Sequence, residues 1–103
     1  METQVPARMA ILAVLMHGKS YGLEIIDKVR ERTKGAVSLN EGSVYPALKL
    51  MEKEGLLKSF EGESVPERGG RPRRYYELTG EGRRAATTQY EVLTGLLLPA
   101  WGT

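Results

Sequence analysis

The 103-residue chain has the length of one domain, and its 41% hydrophobic and 27% charged residues are ordinary for a folded protein. It has no cysteine, which excludes disulfides and zinc–thiolate sites and fits a cytoplasmic location. A net charge of +2 decides nothing about a nucleic-acid partner, so the distribution of charge matters more.

A first helix is predicted over residues 6–17, with Pro6 in its first turn and Gly18 at its end. Residues 9–16 are apolar on every side, a pattern typical of a helix that is buried all round. In so short a chain, one side would be covered by a second subunit. The apolar stretch is too short to span a membrane, which needs about 20 residues.

A second helix is predicted over residues 21–33, with Ser20 as its N-cap. Its core stripe repeats every three or four positions and comprises Gly22, Ile25, Ile26 and Val29. Residues 36–39 then form a short strand or an extended link.

A third helix is predicted over residues 41–54, capped by Asn40 and ended by Gly55. Its core stripe comprises Val44, Ala47, Leu48 and Met51. Pro46 either kinks this helix or shifts its start toward Val44, because proline cannot donate a backbone hydrogen bond.

A β-hairpin follows, with strands at residues 56–61 and 73–78 around a tip rich in glycine and proline. Thr79 is expected to cap a last helix over residues 80–98. Its apolar residues step by four, three and four positions, as in a coiled coil: Ala86, Tyr90, Leu93 and Leu97. This spacing favours a partner-facing helix, with packing against the first helix as the alternative.

Basic residues concentrate at the hairpin tip, where four of the fifteen fall within seven positions: Arg68, Arg71, Arg73 and Arg74. Phosphates favour such a cluster through counterion release. Gly70 and Pro72 keep the backbone narrow, which suits guanidinium groups that enter a minor groove. Taken alone, the loop is better explained as a solvated hairpin tip that carries charge for solubility.

The outer face of the third helix carries a second basic patch opposite the core stripe. At 100° per residue it presents Gly42, Tyr45, Pro46, Lys49 and Lys53, with Ser43 near the start of the helix. Such a face can enter a major groove. The order of helix, helix, basic helix and basic hairpin therefore predicts a mostly α fold with a small β-hairpin. This is a winged helix-turn-helix over residues 1–79, followed by a dimerisation helix and tail at 80–103, that binds double-stranded DNA.

Catalytic chemistry is not expected from this sequence. His17 is the only histidine, and it lies at the end of an apolar helix, which explains it adequately. No phosphate-binding loop, metal-ligand spacing or nucleophile–histidine pair is present in the sequence. We therefore expect neither an enzyme nor a bound metal or cofactor.

Three motifs resemble those of PadR-like transcriptional regulators, specifically the compact subfamily with a single helix after the hairpin. They are GKSYGLEII at 18–26, LNEGSVYPAL with MEKEGL at 39–48 and 51–56, and GGRPRRYYELT with GR at 69–79 and 82–83. The resemblance extends from Ile11 to Ala86.

The resemblance implies a winged-helix homodimer that represses transcription from a palindromic operator, often released by a small molecule. It places Ser43, Tyr45, Pro46 and Lys49 on the groove-facing helix, and Gly70, Arg71, Pro72 and Arg73 on the wing. The predicted DNA contacts also include Asn40, Lys53, Arg68 and Arg74. A dimer would bring together Ile11, Leu12, Leu15, Ala86, Tyr90, Leu93 and Leu97. In this subfamily aromatic compounds can enter between subunits, here beside Met9, Leu93 and Trp101.

Two positions depart from the family pattern. Leu50 stands where many members carry an arginine, which replaces one phosphate contact by an apolar side chain. Leu93 lies near the position where some compact members have a tryptophan. The competing interpretation is a winged-helix module that binds protein through its first and last helices without contacting DNA.

Overall fold

The computed structural model describes residues 3–64 and 72–98. Their order is α1 (Ala7–Leu15), β1 (Ser20–Tyr21), α2 (Gly22–Arg32), α3 (Glu41–Lys53), β2 (Leu57–Ser64), β3 (Pro72–Leu78) and α4 (Gly80–Leu97). The helices pack around one core, and the three strands form an antiparallel sheet in the order β1-β3-β2. The predicted fold class, mostly helical with a small hairpin, is confirmed.

Helix α1 forms the centre of the core but is not buried on every side. Five of its nine residues are buried, whereas Ala13 and the C-cap residue Met16 are exposed. A second subunit was expected to cover one side of this helix, so this exposed strip of the isolated chain leaves that expectation a prediction. The apolar run fills the space between the other helices and the sheet, with Ile11 fully inaccessible to solvent.

Helix α2 begins differently from the prediction, because Ser20 is not its cap. Ser20 is fully buried in β1, and its hydroxyl donates to Glu24 Oε1 at 2.6 Å. Tyr21 occupies the cap position without a side-chain cap bond. The pairing of Ser20 with Tyr76 and of Tyr21 with Tyr75 draws these residues into the sheet. Residues 36–39, for which a strand was one alternative, form a link instead.

Helix α3 begins where its cap predicts and continues through Pro46. The Asn40 side chain accepts from the Ser43 backbone N–H at 2.9 Å, and the Ser43 hydroxyl donates to the Asn40 carbonyl at 3.0 Å. Of the two alternatives for Pro46, a later start is excluded, since the helix runs over Glu41–Lys53. Gly55 ends this segment with a φ of 83°, a conformation that suits glycine.

The two faces of the hairpin differ because side chains alternate along a strand. Leu57, Tyr76 and Leu78 point into the core. Tyr75 lies on the opposite face, in register with Phe60 on β2 and Tyr21 on β1. This outer sheet face is built from residues that lie far apart in the sequence.

Helix α4 is fixed at its start and projects at its end. Thr79 caps it as predicted, accepting from the Gly82 N–H at 3.1 Å and donating to the Gly55 carbonyl at 2.6 Å. Gln89 Nε2 donates to the Met9 carbonyl at 3.0 Å, so the first half of α4 packs on α1 of the same chain. In the second half, Leu96 is 77% and Leu97 is 81% exposed.

Four residues expected at a subunit interface lie instead in the core of their own chain: Ile11, Leu12, Leu15 and Ala86. The reason is that α1 packs against α3, α2 and β3 of its own chain as well as against the first half of α4. Of the predicted interface residues, Tyr90 and Leu97 remain exposed and Leu93 is half-buried.

The buried phenol of Tyr76 predicts a loss of stability at alkaline pH. Burial is the main cause that raises the pKa of Tyr76 above 10.0, the negative charge of Glu52 adds to it, and Arg74 opposes it. The folded state therefore keeps this proton at a pH where the unfolded chain releases it. The free energy of unfolding should fall as pH rises from about 10 toward the folded-state pKa.

Chemical denaturation from about pH 9 to about pH 11 measures this dependence. The Tyr76→Phe variant should lose less stability over that range than the wild type. Tyr90→Phe removes an exposed hydroxyl and should follow the wild type. An alkaline slope in Tyr76→Phe as steep as that of the wild type would contradict the assignment.

Candidate nucleic-acid interface

The outer face of α3 presents two lysines without competing carboxylates. Lys49 and Lys53 are one helical turn apart and both exposed. Within the described segments, no carboxylate lies within 4.0 Å of either ammonium group. Gly42 and Pro46 lie beside them on the same exposed face, as the helical spacing predicted. The face can therefore approach an anion closely without breaking an ion pair.

Two glutamates near this face have partners on other elements. Glu52 accepts a hydrogen bond from the Ser59 hydroxyl at 2.5 Å, which ties α3 to β2. Glu54 pairs with Arg8 of α1 at 2.5 Å. These contacts hold both acids away from the centre of the lysine face, whose local charge is positive.

The predicted contact residues at the start of α3 have structural roles as well. Asn40 and Ser43 are both exposed and engaged in the cap described above. Tyr45 is 41% exposed and packs with its ring over Gly22, at the start of α2. Leu50 is 54% exposed on the other flank of the helix, an apolar side chain at the edge of the basic face.

The two described arginines of the hairpin point to opposite faces of the sheet. Arg74 lies near Glu61 at 3.6 Å and donates to Ser59 Oγ at 3.1 Å. The Arg73 guanidinium carbon lies 4.5 Å from the centre of the Tyr21 ring. Both groups, predicted to contact DNA, therefore also contact their own chain.

Sequence reasoning missed the aromatic cluster around Arg73. Tyr75 stacks on Phe60 and meets Tyr21 edge to face, with ring centroids 5.9 and 5.5 Å apart. The Lys19 ammonium lies 5.5 Å from the centroids of both the Phe60 and the Tyr75 ring. The alternation of β3 could have indicated that Tyr75 and Arg73 share a face, but not that Tyr21 joins them.

Several predicted site residues lie outside the described part of the chain. These are Arg68, Gly70 and Arg71 of the hairpin tip and Trp101 of the tail. Pro72 is the first residue of β3.

An apolar cavity of about 240 Å³ opens between α1, α2 and α4. Met9 and Leu93, the two described residues of the predicted ligand site, both line it. Ala13 and Val29 extend the apolar wall, and Gln89 contributes an amide. Pockets for drug-sized molecules usually have about 300–1,000 Å³, so this cavity is small for such a ligand.

Residues 3–64 and 72–98 contain neither a membrane-spanning helix nor a cluster of metal-binding side chains. No helix there is long and apolar enough to cross a membrane. No group of three or more histidine, cysteine, aspartate or glutamate side chains could hold a metal ion in those segments.

Comparison with known proteins identifies the family. The model of the transcriptional regulator PadR-like family matches residues 11–88. A transcriptional regulator from Clostridium thermocellum is 32% identical, with 86% of this chain and 83% of that chain covered and a TM-score of 0.73. A PadR family transcription regulator from Clostridium difficile is also 32% identical, with 90% of this chain and 95% of that chain covered and a TM-score of 0.66.

A curated relative is an uncharacterised protein from Lysinibacillus sphaericus, 27% identical over 73 residues. The matched region is 71% of this chain and 64% of that protein's length. The family match covers most of the chain, and the structural neighbours share the arrangement of helices and sheet described above. The chain therefore belongs to the PadR-like family of transcriptional regulators, with a winged helix DNA-binding fold.

Proposed function

We propose that this protein is a cytoplasmic, homodimeric repressor that binds a palindromic DNA operator. Helix α3 enters the major groove of each half-site, and the hairpin, called the wing from here on, contacts the adjacent backbone or minor groove. The observation that carries the proposal is the exposed face of α3, where Lys49 and Lys53 lack acidic partners within the described segments. Phosphates and base edges are the anions and acceptors that such a face fits.

A mobility shift on the protein's own upstream DNA, followed by footprinting, tests the proposal. Half-sites should lie about one helical turn, or roughly 10 base pairs, apart. Binding should weaken steeply with salt, because each neutralised phosphate releases a counterion. The absence of salt-dependent binding to this DNA would overturn the proposal.

Replacing Lys49 with alanine should weaken operator binding about tenfold, and more than it weakens binding to random DNA. The reason is that Lys49 lies at the centre of the face that enters the groove. Lys58→Ala is the matched control, since Lys58 pairs with Glu77 at 3.4 Å on the outer sheet face. Equal losses on operator and random DNA would indicate a phosphate contact without base readout.

The Gly22→Ala variant should weaken operator binding about tenfold while the protein stays folded. An added Cβ would lie 2.6 Å from Tyr45 Cε1, so the Tyr45 ring has to leave its place. The contact is with the end of a side chain, so the backbone can stay where it is.

Thermal melting and operator titration of the same variant test this expectation. A cooperative melting transition within a few degrees of that of the wild type, together with weaker binding, is the expected pair of results. Unchanged operator affinity would show that the position of the Tyr45 ring has no role in DNA binding.

The apolar cavity supports a site for a small aromatic inducer at the subunit interface. Met9 and Leu93 provide its walls, and a second subunit across α4 would enlarge the roughly 240 Å³ that one chain offers. A ligand that binds there changes the packing of α1 and α4 and thereby the spacing of the two α3 helices. Isothermal titration with planar aromatic compounds, compared between wild type and Leu93→Glu, tests this site. Equal heats of ligand binding to the wild type and to Leu93→Glu would overturn this ligand site.

A further inference from the structure

The outer sheet face joins the wing to the rest of the domain through very few residues. Strand β1 pairs with β3 at only two positions, Ser20 with Tyr76 and Tyr21 with Tyr75. Tyr21 also occupies the cap position directly before α2. Any movement of β3 relative to the helices must therefore change the surroundings of Tyr21.

The contact of Tyr21 with β3 is called the junction from here on. Arg73 packs against this junction and does not extend into solvent. Its guanidinium lies 4.5 Å from the centre of the Tyr21 ring, within the range of a cation–π contact. Its Nε is buried and has no hydrogen-bond partner among the described residues. An unpaired N–H is costly to bury, and here the negative face of the ring supplies the compensating attraction.

The same junction extends to α3. Tyr21 is followed by Gly22, and the ring of Tyr45 covers Gly22 so closely that a Cβ there would lie 2.6 Å from it. On the other side, the Tyr75 ring covers Gly62 of β2, where an added Cβ would lie 2.3 Å from Tyr75 Cε1. Contacts thus run without a gap from the wing, through Tyr21, to the helix face that carries Lys49.

We propose that Arg73 is a positioning residue: its stacking on Tyr21 fixes the orientation of the wing relative to α3, and it does not bind a phosphate. This inference rests on the proposed DNA-binding function. It assigns different roles to two neighbouring arginines, because Arg74 lies on the opposite face near Glu61. Fixing the wing before binding raises affinity, since less ordering is needed when DNA arrives.

A double-mutant cycle on operator affinity tests the proposal, with the variants Arg73→Met, Tyr21→Leu and their combination. Each single variant should weaken binding about twofold to thirtyfold per subunit, the range of a cation–π contact, so the effect on the dimer is the square of that factor. The combination should weaken binding no further. Tyr21→Phe keeps the ring and should bind like the wild type. Arg74→Met, the matched control on the same strand, should combine additively with Tyr21→Leu.

The salt dependence of binding separates positioning from phosphate contact. Loss of one phosphate contact makes the negative slope of log K against log salt less steep by about 0.9. Tyr21→Leu removes no charge, so it should weaken binding with an unchanged slope. Additive effects in the cycle would overturn the proposal. It would also be overturned if Tyr21→Leu left the operator affinity intact while Arg73→Met lowered both the affinity and the steepness of its salt dependence.

A DNA-free measurement keeps this inference separate from the proposed function. Amide hydrogen exchange in β2 and β3 should be faster in Arg73→Met and in Tyr21→Leu than in the wild type, and unchanged in Tyr21→Phe. This result would support the junction even if the wild type failed to bind its upstream DNA. Unchanged exchange in both variants would overturn it whatever the DNA result.

Discussion

Replacing Gly82 with alanine is expected to destabilise the fold by about 3 kcal/mol and to lower Tm by roughly 15 °C. Gly82 is buried in the first turn of α4, and an added Cβ would lie 2.0 Å from the Leu56 carbonyl oxygen. That oxygen accepts a hydrogen bond from the Thr79 backbone at 3.0 Å. The clash therefore cannot be relieved without separating the start of α4 from the turn before β2.

The Gly80→Ala variant is the control for this prediction. Gly80 lies in the same helical turn, and nothing lies within 4 Å of the position that its Cβ would occupy. Its stability should match or slightly exceed that of the wild type, since alanine restricts the unfolded chain. Urea denaturation of both variants provides the measurement. A loss below about 1 kcal/mol for Gly82→Ala would show that the two backbone segments separate easily.

Helix ends that depend on local chemistry could be predicted from the sequence. Asn40 and Thr79 were identified as caps, and each accepts the expected backbone bond. Gly55 was expected to end α3, and its positive φ explains why a glycine stands there. These signals act within three or four residues, so the amino-acid sequence alone is enough to detect them.

At Ser20, pairing in the sheet outweighs the local preference of serine for a helix cap. A serine before an amphipathic run favours a cap, but this one pairs in the sheet with Tyr76, 56 positions later. The sheet contact buries the hydroxyl, which then bonds to Glu24 rather than to the helix backbone. No pattern within a short window can reveal that competition.

Periodicity also could not identify which surface covers an apolar stripe. The spacing of Ala86, Tyr90, Leu93 and Leu97 is regular, yet Ala86 is fully buried in its own chain and Leu97 is 81% exposed. The first half of the stripe meets α1, and the second half extends beyond it. The arginines of β3 pose the same difficulty, since alternation separates Arg73 from Arg74 but cannot identify Tyr21 as a partner.

The exposed end of α4 predicts that two acidic substitutions will abolish dimerisation. Tyr90, Val92, Leu96, Leu97 and Leu98 are all more than half exposed in the isolated chain, which is unusual for five apolar residues within nine positions. Burial of this surface against a second copy is part of the proposed function. The Leu96→Glu and Leu97→Glu double variant would place two carboxylates in that interface without partners, a cost that the apolar contacts cannot offset.

The wild type should have twice the 11.4 kDa mass of one chain by light scattering, and the double variant should have that of one chain. Operator affinity should fall about a hundredfold or more, because a monomer loses the joint binding of two half-sites. Thr87→Glu with Thr88→Glu adds the same charge at exposed positions in the first half of α4 and should remain dimeric. A wild type that is monomeric at micromolar concentration would contradict the proposed homodimer and, with it, the binding of two half-sites of a palindromic operator. A dimeric double variant would move the interface away from the end of α4.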